Sequence, residues 1–499
     1  MSNIQVNHLT FGYEGSYENV FEDVSFTINT DWKLGLIGRN GKGKTTLLNL
    51  LLGKYTYQGT ISKNVEVSYF PYEVKDKSQM TIEIVNQMIP MVEDWQIIKE
   101  LSLLHTQADI LYRSFDTLSG GEQVKILLAT LFLKENNFLL IDEPTNHLDI
   151  ETRTNLIEYL KKKKGFILVS HDRKFLDEVV DHIIAINNTN IEIQKGNFSS
   201  WKENKDRQDQ FEITQNEKLK GEIRKLEKAS KQTENWSNQV EKTKIGTTNS
   251  GSKPDKGYIG HQAAKMMKRS KVLENRYEKK IEEKAQLLNN IDRNDRLTIK
   301  PLFSKKEPMI LFHQFQIEYD KKPIFTPISF AVNQGDRIAI IGKNGSGKSS
   351  ILKCILGQEI THQGEYKKIN DLKISYVSQN TDYLKGNLTQ IAKQNNIDES
   401  IFKAMLAKMG FTKTDFERDV REYSEGQKKK VLLAKSITES AHIYVWDEPL
   451  NYIDILTKIQ IEEAILKWKP TMIFVEHDED FVQKVSTQII CIDKEIKEL

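Results

Sequence analysis

Three short apolar runs recur in each half of this chain: KLGLI (33–37), the run opening NFLLID (137–142) and FILV (166–169), then RIAII (337–341), IYVWD (443–447) and MIFV (472–475). Runs of four to six apolar residues bounded by Gly, Asp, Asn or Ser read as strands buried on both faces of a sheet. Helix-like stretches follow them, so each half is α/β. The middle of the chain reads differently. From Glu203 to Glu241 it is charged, with Leu219, Ile223 and Leu226 at helical spacing, and Leu273, Tyr277, Ile281 and Leu288 repeat that spacing further on. Between them lies TKIGTTNSGSKPDKGYIG, rich in Gly, Ser, Thr, Asn and Pro. The pattern predicts helix, loop, helix. Arms of about 30 residues would make a rod of about 45 Å at 1.5 Å per residue. The expected organisation is therefore 1–200, a hairpin linker 201–305 with its tip near 242–260, and 306–499.

Composition narrows the class. Of 499 residues, 28% are charged and 38% apolar, and no run approaches the roughly 18 apolar residues of a membrane helix. The N-terminus lacks a basic start and an apolar stretch of signal length, so the expected location is cytoplasmic. Cys354 and Cys491 match no metal spacing and read as reduced, buried thiols. The net charge of +2 is unevenly spread, because residues 201–300 hold 24 Lys and Arg against 16 Asp and Glu. The tip is basic. Lys242, Lys244, Lys253 and Lys256, with Tyr258 and His261 as faces for base stacking, fit phosphate and RNA better than a plain spacer. The run Lys161 to Lys164 reads instead as solvated surface.

The candidate chemistry occurs twice in register. GRNGKGKT (38–45) returns as GKNGSGKS (342–349), LSGGEQ (118–123) as YSEGQ (423–427), Asp142-Glu143 as Asp447-Glu448, and His171 as His477. Offsets of 304 to 306 residues mean a duplicated domain. Each Gly-rich loop follows a strand and opens a helix, where backbone N–H groups cradle phosphate oxygens. Gly38, Asn40, Gly41 and Gly43, and Gly342, Asn344, Gly345 and Gly347, form those loops. Lys44 and Lys348 would reach the β- and γ-phosphates of ATP, and Thr45 and Ser349 would offer hydroxyls to Mg²⁺, with Thr46 and Ser350 beside them. Tyr13 and Tyr319 stand at matching places upstream, suited to stacking on adenine. An apolar strand ending in two carboxylates places Asp142 and Asp447 to hold Mg²⁺, and Glu143 and Glu448 to polarise the attacking water. His171 and His477 would sense the γ-phosphate.

The doubled LSGGEQ, LLIDEPTNHLD and VSHD motifs resemble the ATP-binding cassette superfamily, and the charged hairpin between cassettes resembles its ABC-F branch. Within that branch, EKTKIGTTNSGSKPDKGYIGHQAAKMMKRSK (241–271) and WDEPLNYID (446–454) are similar to the Lsa group of antibiotic-resistance proteins. The resemblance implies two P-loop cassettes joined by a helical hairpin. It also implies a chain that pairs its cassettes as a monomer and binds the ribosome at the tRNA exit site, touching large-subunit rRNA and P-site tRNA, with no DNA or membrane partner. It further implies protection from lincosamides, streptogramin A and pleuromutilins.

In such cassettes each nucleotide lies between one half's Gly-rich loop and the other half's signature. Lys44, Glu143 and His171 would pair with Ser424 and Gly426, and Lys348, Glu448 and His477 with Ser119, Gly120 and Gly121. Two departures make the sites unequal. Glu425 replaces a signature glycine, bringing like-charge repulsion towards the γ-phosphate. Tyr72 stands where the second half has Gln379, an amide that would help hold Mg²⁺ or water. The first site is expected to be the slower. A housekeeping translation factor, the ATPase subunit of a transporter and a non-catalytic RNA scaffold are the alternatives.

Overall fold

The computed structural model describes residues 2–14, 19–90, 92–145, 148, 150–187, 190–211, 297–319, 322–343 and 345–492, with scattered positions between 214 and 276. By contacts the chain divides into two units, Met1–Phe198 with Arg293–Leu499, and Ser199–Asp292.

The first unit holds two copies of one architecture. In the first copy a six-stranded sheet runs in the order Glu66–Phe70, Asn137–Asp142, Phe166–Val169, Lys33–Ile37, His182–Ile186, Ile191–Lys195. All its pairs are parallel except the last. In the second copy five parallel strands follow the same plan: Ile374–Val377, Ile443–Asp447, Met472–Val475, Arg337–Gly342, Gln488–Ile492. The apolar runs form these strands because both sheet faces are covered. Along Met472–Val475, Met472 and Phe474 enter one core with Tyr444 and Trp446, while Ile473 and Val475 enter the other with Val445 and Ile338. Two-residue alternation thus feeds two apolar layers at once. An antiparallel sheet lies beside each copy, Phe21–Asn29, Asn3–Phe11 and Gln58–Lys63 in the first, and Ile310–Tyr319 with Lys322–Pro323, Ile328–Val332 and His362–Lys368 in the second.

Both Gly-rich loops turn into helices, Lys44–Leu52 and Lys348–Ile355, through Gly43 at φ 93° and Gly347 at φ 98°. Glycine is required at Gly43, where a Cβ would stand 2.6 Å from Val20 Cγ1 and 2.9 Å from Phe21 Cζ. The signature motifs open two longer helices, Gly120–Leu133 and Glu425–Thr438. Ser119 and Ser424 cap them, each in a reciprocal capping box with Glu122 or Gln427.

Residues 297–302, assigned to the linker by the sequence pattern, pack on the second copy. Leu297 and Ile299 lie in its core, and Leu302 N–H donates to Ala441 O. In the second unit the described residues between 199 and 276 are helical. The tip residues Lys242, Lys244, Lys253, Lys256 and Tyr258 lie outside the described residues, as does Asn344. Among the described residues no helix is long and apolar enough to cross a membrane. Cys354 is buried, whereas Cys491 is exposed, correcting the expectation of two buried thiols; Cys491 sits on the strand Gln488–Ile492, which among the described residues pairs with Arg337–Gly342 alone.

Candidate ATP sites

Each parallel sheet delivers its acidic pair to the same edge as its Gly-rich loop. Asp142 ends its strand, and Glu143 N–H still donates to Val169 O at 2.9 Å; Glu448 N–H donates to Val475 O at 3.0 Å. The chain then turns sharply. Glu143 sits at φ 49° and Glu448 at φ 47°, a left-handed conformation that costs a non-glycine residue about 1 kcal/mol or more and is concentrated at functional sites. It brings the carboxylates to the late histidines: His171 Nε2 and His477 Nε2 each stand 3.4 Å from Oε1 of Glu143 and Glu448.

The lysines close their loops. Lys44 Nζ donates to Gly38 O at 2.7 Å, Arg39 O at 3.3 Å and Asn40 Oδ1 at 3.2 Å, and Lys348 Nζ to Gly342 O at 2.8 Å and Lys343 O at 3.0 Å. Burial pushes both ammonium groups below the usual lysine range, against the pull of Asp454 and Glu143 on Lys44 and of Glu448 and Asp447 on Lys348. Tyr13 OH meets Thr46 Oγ1 at 2.7 Å and Tyr319 OH meets Ser350 Oγ at 3.2 Å. The two tyrosines stay 46% and 53% exposed, so each is tethered beside its Gly-rich loop and still reaches solvent.

The first Gly-rich loop is docked on the second copy. Arg39 Nη1 donates to Lys408 O at 3.0 Å, Asn40 Nδ2 to Tyr452 O at 3.0 Å, and Asn40 N–H points to Asp454 Oδ2 at 3.4 Å. Gly426 is wedged there: a Cβ would stand 2.5 Å from Tyr452 O and 2.9 Å from Asn40 Nδ2. Arg173 Nη1 pairs with Glu462 Oε2 at 2.8 Å, and Lys458 Nζ donates to His171 O at 3.1 Å. Lys44, Glu143 and His171 thus meet the signature half that carries Ser424 and Gly426. At the opposite signature, Ser119 and Gly120 are exposed. Among the described residues no hydrogen bond joins Ser119, Gly120 or Gly121 to the second copy, and the atoms nearest to a Cβ at Gly121 would be those of Thr152 and Leu148 of its own copy.

A family model described as ABC transporter matches residues 21–146 and 325–451, about half of the chain. The chain belongs to the ABC transporter family. This ABC protein is an ATP hydrolase with two cassettes, and its relatives span its whole length. It is 27% identical to the ribosome protection protein VmlR of Bacillus subtilis, over 96% of this chain and 85% of that one. It is 25% identical to the energy-dependent translational throttle protein EttA of Haemophilus influenzae, over 95% and 89%. The likeness to the ABC-F branch rests on these. Among solved structures, the complex of the archaeal stalk protein aP1 with the ribosome recycling factor aABCE1 superposes with TM-score 0.57 at 18% identity, covering 98% of this chain and 88% of that one; that likeness concerns the fold.

The two carboxylates of this ABC protein differ in their partners. Glu448 accepts from Gln379 Nε2 at 2.8 Å and Asn451 Nδ2 at 2.9 Å, and its bond with His477, reinforced by Gln379, holds it below the usual range although burial opposes them. Among the described residues Glu143 accepts from His171 N–H at 3.3 Å, and its Oε1, 3.4 Å from His171 Nε2, has no hydrogen bond. Burial, with Asp142 adding repulsion, pushes it up to about 8. Burial also pushes the His171 imidazole down to about 3, so it is neutral. Asp142 accepts from Tyr69 OH at 3.0 Å, and Asp447 from Ser349 Oγ at 3.4 Å. Burial raises both, against those bonds.

The carboxylate of Glu425 accepts from Thr381 Oγ1 at 2.6 Å and Lys428 Nζ at 2.9 Å, which hold it below the usual carboxylate range, so the signature position carries a negative charge with a lysine beside it.

Residues that sequence reasoning passed over include Asp454 and Lys430, an ion pair of 2.6 Å with side chains only 1% and 2% exposed. Burial pushes the Asp454 carboxyl up, but Lys430 and then Lys44 outweigh it and hold it far below the usual range. Asn451 and Asp454 lie in WDEPLNYID, which carried the family resemblance but assigned them no role.

Proposed function

We propose that this chain is a ribosome-associated ABC-F ATPase that protects the peptidyl-transferase centre from lincosamides, streptogramin A and pleuromutilins, with ATP hydrolysis timing its release. The observation that carries the reading is the first Gly-rich loop seated on the second cassette through Asn40, Tyr452 and Asp454, because a chain that closes on itself this way can use nucleotide to set its shape. The full-length likeness to a ribosome protection protein and the basic segment between the cassettes support the choice of partner. In this reading the protein is cytoplasmic and monomeric, binds the exit site, and carries Lys242, Lys244, Lys253, Lys256 and Tyr258 towards rRNA and P-site tRNA.

At each site the Gly-rich loop, its lysine and the facing signature serine hold the triphosphate, and Tyr13 or Tyr319 stacks on adenine. Glu448 accepts a proton from the water that attacks the γ-phosphorus, releasing ADP and phosphate, and His477 keeps that carboxylate aimed. Ser349 Oγ and Asp447 Oδ1, 3.4 Å apart at the strand end, fit the oxygen donors that Mg²⁺ takes, with Gln379 as a further ligand and Thr45 with Asp142 as the first-site set. When bound there, the ion would neutralise phosphate charge.

The test is growth inhibition by a lincosamide and a pleuromutilin, with and without the expressed chain. Unchanged susceptibility to both would overturn the protective role. A second reading, a housekeeping translation factor, is favoured by the likeness to the translational throttle protein. It predicts slowed translation without any change in susceptibility. In either case the Glu143→Gln, Glu448→Gln chain should co-sediment with ribosomes in ATP, and a chain that stays in the free fraction would refute ribosome binding.

A further inference from the structure

The two ATP sites differ at a buried pair that no motif explains. Where the first cassette has Val124 and Ser170, the second has Lys429 and Glu476, both almost fully buried. Lys429 Nζ donates to Ser378 O at 3.0 Å and to Glu448 O at 3.1 Å. Those carbonyls belong to the residue before Gln379 and to Glu448 itself, the two residues whose side chains meet at 2.8 Å. Glu476 works from the opposite strand: Oε1 accepts Leu450 N–H at 2.7 Å and Oε2 accepts His477 N–H at 3.1 Å. One buried cation therefore ties together the backbones that present Gln379 and Glu448, and one buried carboxyl ties together those that follow Glu448 and present His477. In the first cassette Val124 has no donor for the two carbonyls, and the Ser170 hydroxyl bonds the Thr145 hydroxyl at 3.4 Å and accepts Asp172 N–H at 3.2 Å, a long side-chain link in place of the two backbone N–H groups that Glu476 takes.

We propose that Lys429 and Glu476 are positioning residues of the second ATP site, fixing the strand ends so that Gln379, Glu448 and His477 converge on one point, and that this pair makes the second site the faster one. A buried lysine is costly unless its protons are used, and two backbone carbonyls beside four carboxylates (Glu476, Glu448, Asp447 and Glu425) supply that compensation. The structural alternative, a lysine that only fills the core, predicts that an apolar residue of equal length serves as well.

The experiment measures ATPase kcat and KM of the full chain carrying Glu143→Gln, which isolates the second site, with Lys429→Met, Lys429→Gln or Lys429→Arg added. Misplacing reacting groups by about 1 Å costs up to a hundredfold, so Lys429→Met should lower kcat by roughly 10- to 100-fold, with KM for ATP changed by less than about twofold. Lys429→Arg, which can still donate to both carbonyls, should recover most of kcat. Nucleotide affinity and the unfolding midpoint are read alongside. If Lys429→Met unfolds, Lys429→Gln, whose amide nitrogen lies one atom nearer the backbone than Nζ and so falls short of both carbonyls, is read in its place, and a loss of kcat at parental KM supports the proposal. Parental kcat in either variant, or a loss matched by a parallel rise in KM that arginine does not rescue, would overturn it. The ranking of the sites, on which the last clause rests, is reported separately by the Glu143→Gln chain alone.

Discussion

Replacing each strand-end glutamate by glutamine should have unequal effects on steady-state ATP turnover. Gln379 donates to Glu448 at 2.8 Å, whereas Tyr72, its counterpart in the first cassette, is exposed and makes no such bond to Glu143. A hydrogen bond to a charged group contributes about 1.5–3 kcal/mol, and 1.4 kcal/mol is tenfold, so this one difference favours the second site by roughly 10- to 100-fold. The sign of the Glu143 shift agrees. Its carboxyl is pushed up to about 8, so at pH 7 most of it is protonated and unable to accept a proton from water. Glu448 is held below its ordinary value and is ionised. Glu448→Gln should therefore remove about nine-tenths or more of phosphate release, and Glu143→Gln about one-tenth or less. The assay is phosphate release at saturating ATP, with purified chain, at pH 7. Larger loss from Glu143→Gln would refute the argument from hydrogen-bond partners. Equal losses would also refute it, since they would mean that the sites fire in one obligatory cycle.

Three more outcomes follow from the same contacts. Lys430→Met leaves Asp454 buried without its cation and should cost about 3–5 kcal/mol of stability at pH 7 in urea unfolding; because the Asp454 carboxyl is depressed in the folded chain, the pair stabilises fully above about pH 4 and the variant should converge on the parent as pH falls below that. Arg173→Ala strips Glu462 of its partner across the cassettes and should cost about 2–3 kcal/mol, with a double-mutant cycle against Glu462→Ala returning a favourable coupling; a coupling near zero would show that the pair is incidental. Deleting 242–258 should leave ATP turnover within about twofold while abolishing growth under a lincosamide, a split that a loss of folding could not produce, since turnover reports folded cassettes.

The duplication, the phosphate loops and the strand-end carboxylates were legible from residue order because each depends on neighbours within a few positions. A Gly-rich turn after an apolar strand, or a serine followed three residues on by Glu or Gln, has its geometry written locally. The same local pattern carried the α/β class, while the family resemblance rested on the LSGGEQ, LLIDEPTNHLD and VSHD motifs themselves. It also misplaced one boundary, since Leu297 and Ile299 look like the tail of a helical linker until a second core is there to bury them. For Cys491, apolar flanks gave no sign of its exposure.

Residue order alone therefore determined that this chain carries two ATP-handling cassettes and which side chains are the candidates to face phosphate, for those follow from short-range backbone chemistry. Folding in three dimensions decided that Asn40 meets Asp454 across 414 residues, that Lys429 joins the carbonyls of Ser378 and Glu448, and that burial pushes one strand-end glutamate up while its partners hold the other down. The physical reason is that desolvation and hydrogen-bond partnership depend on what packs through space around a group, and identical motifs acquire different surroundings when two unequal halves close on each other.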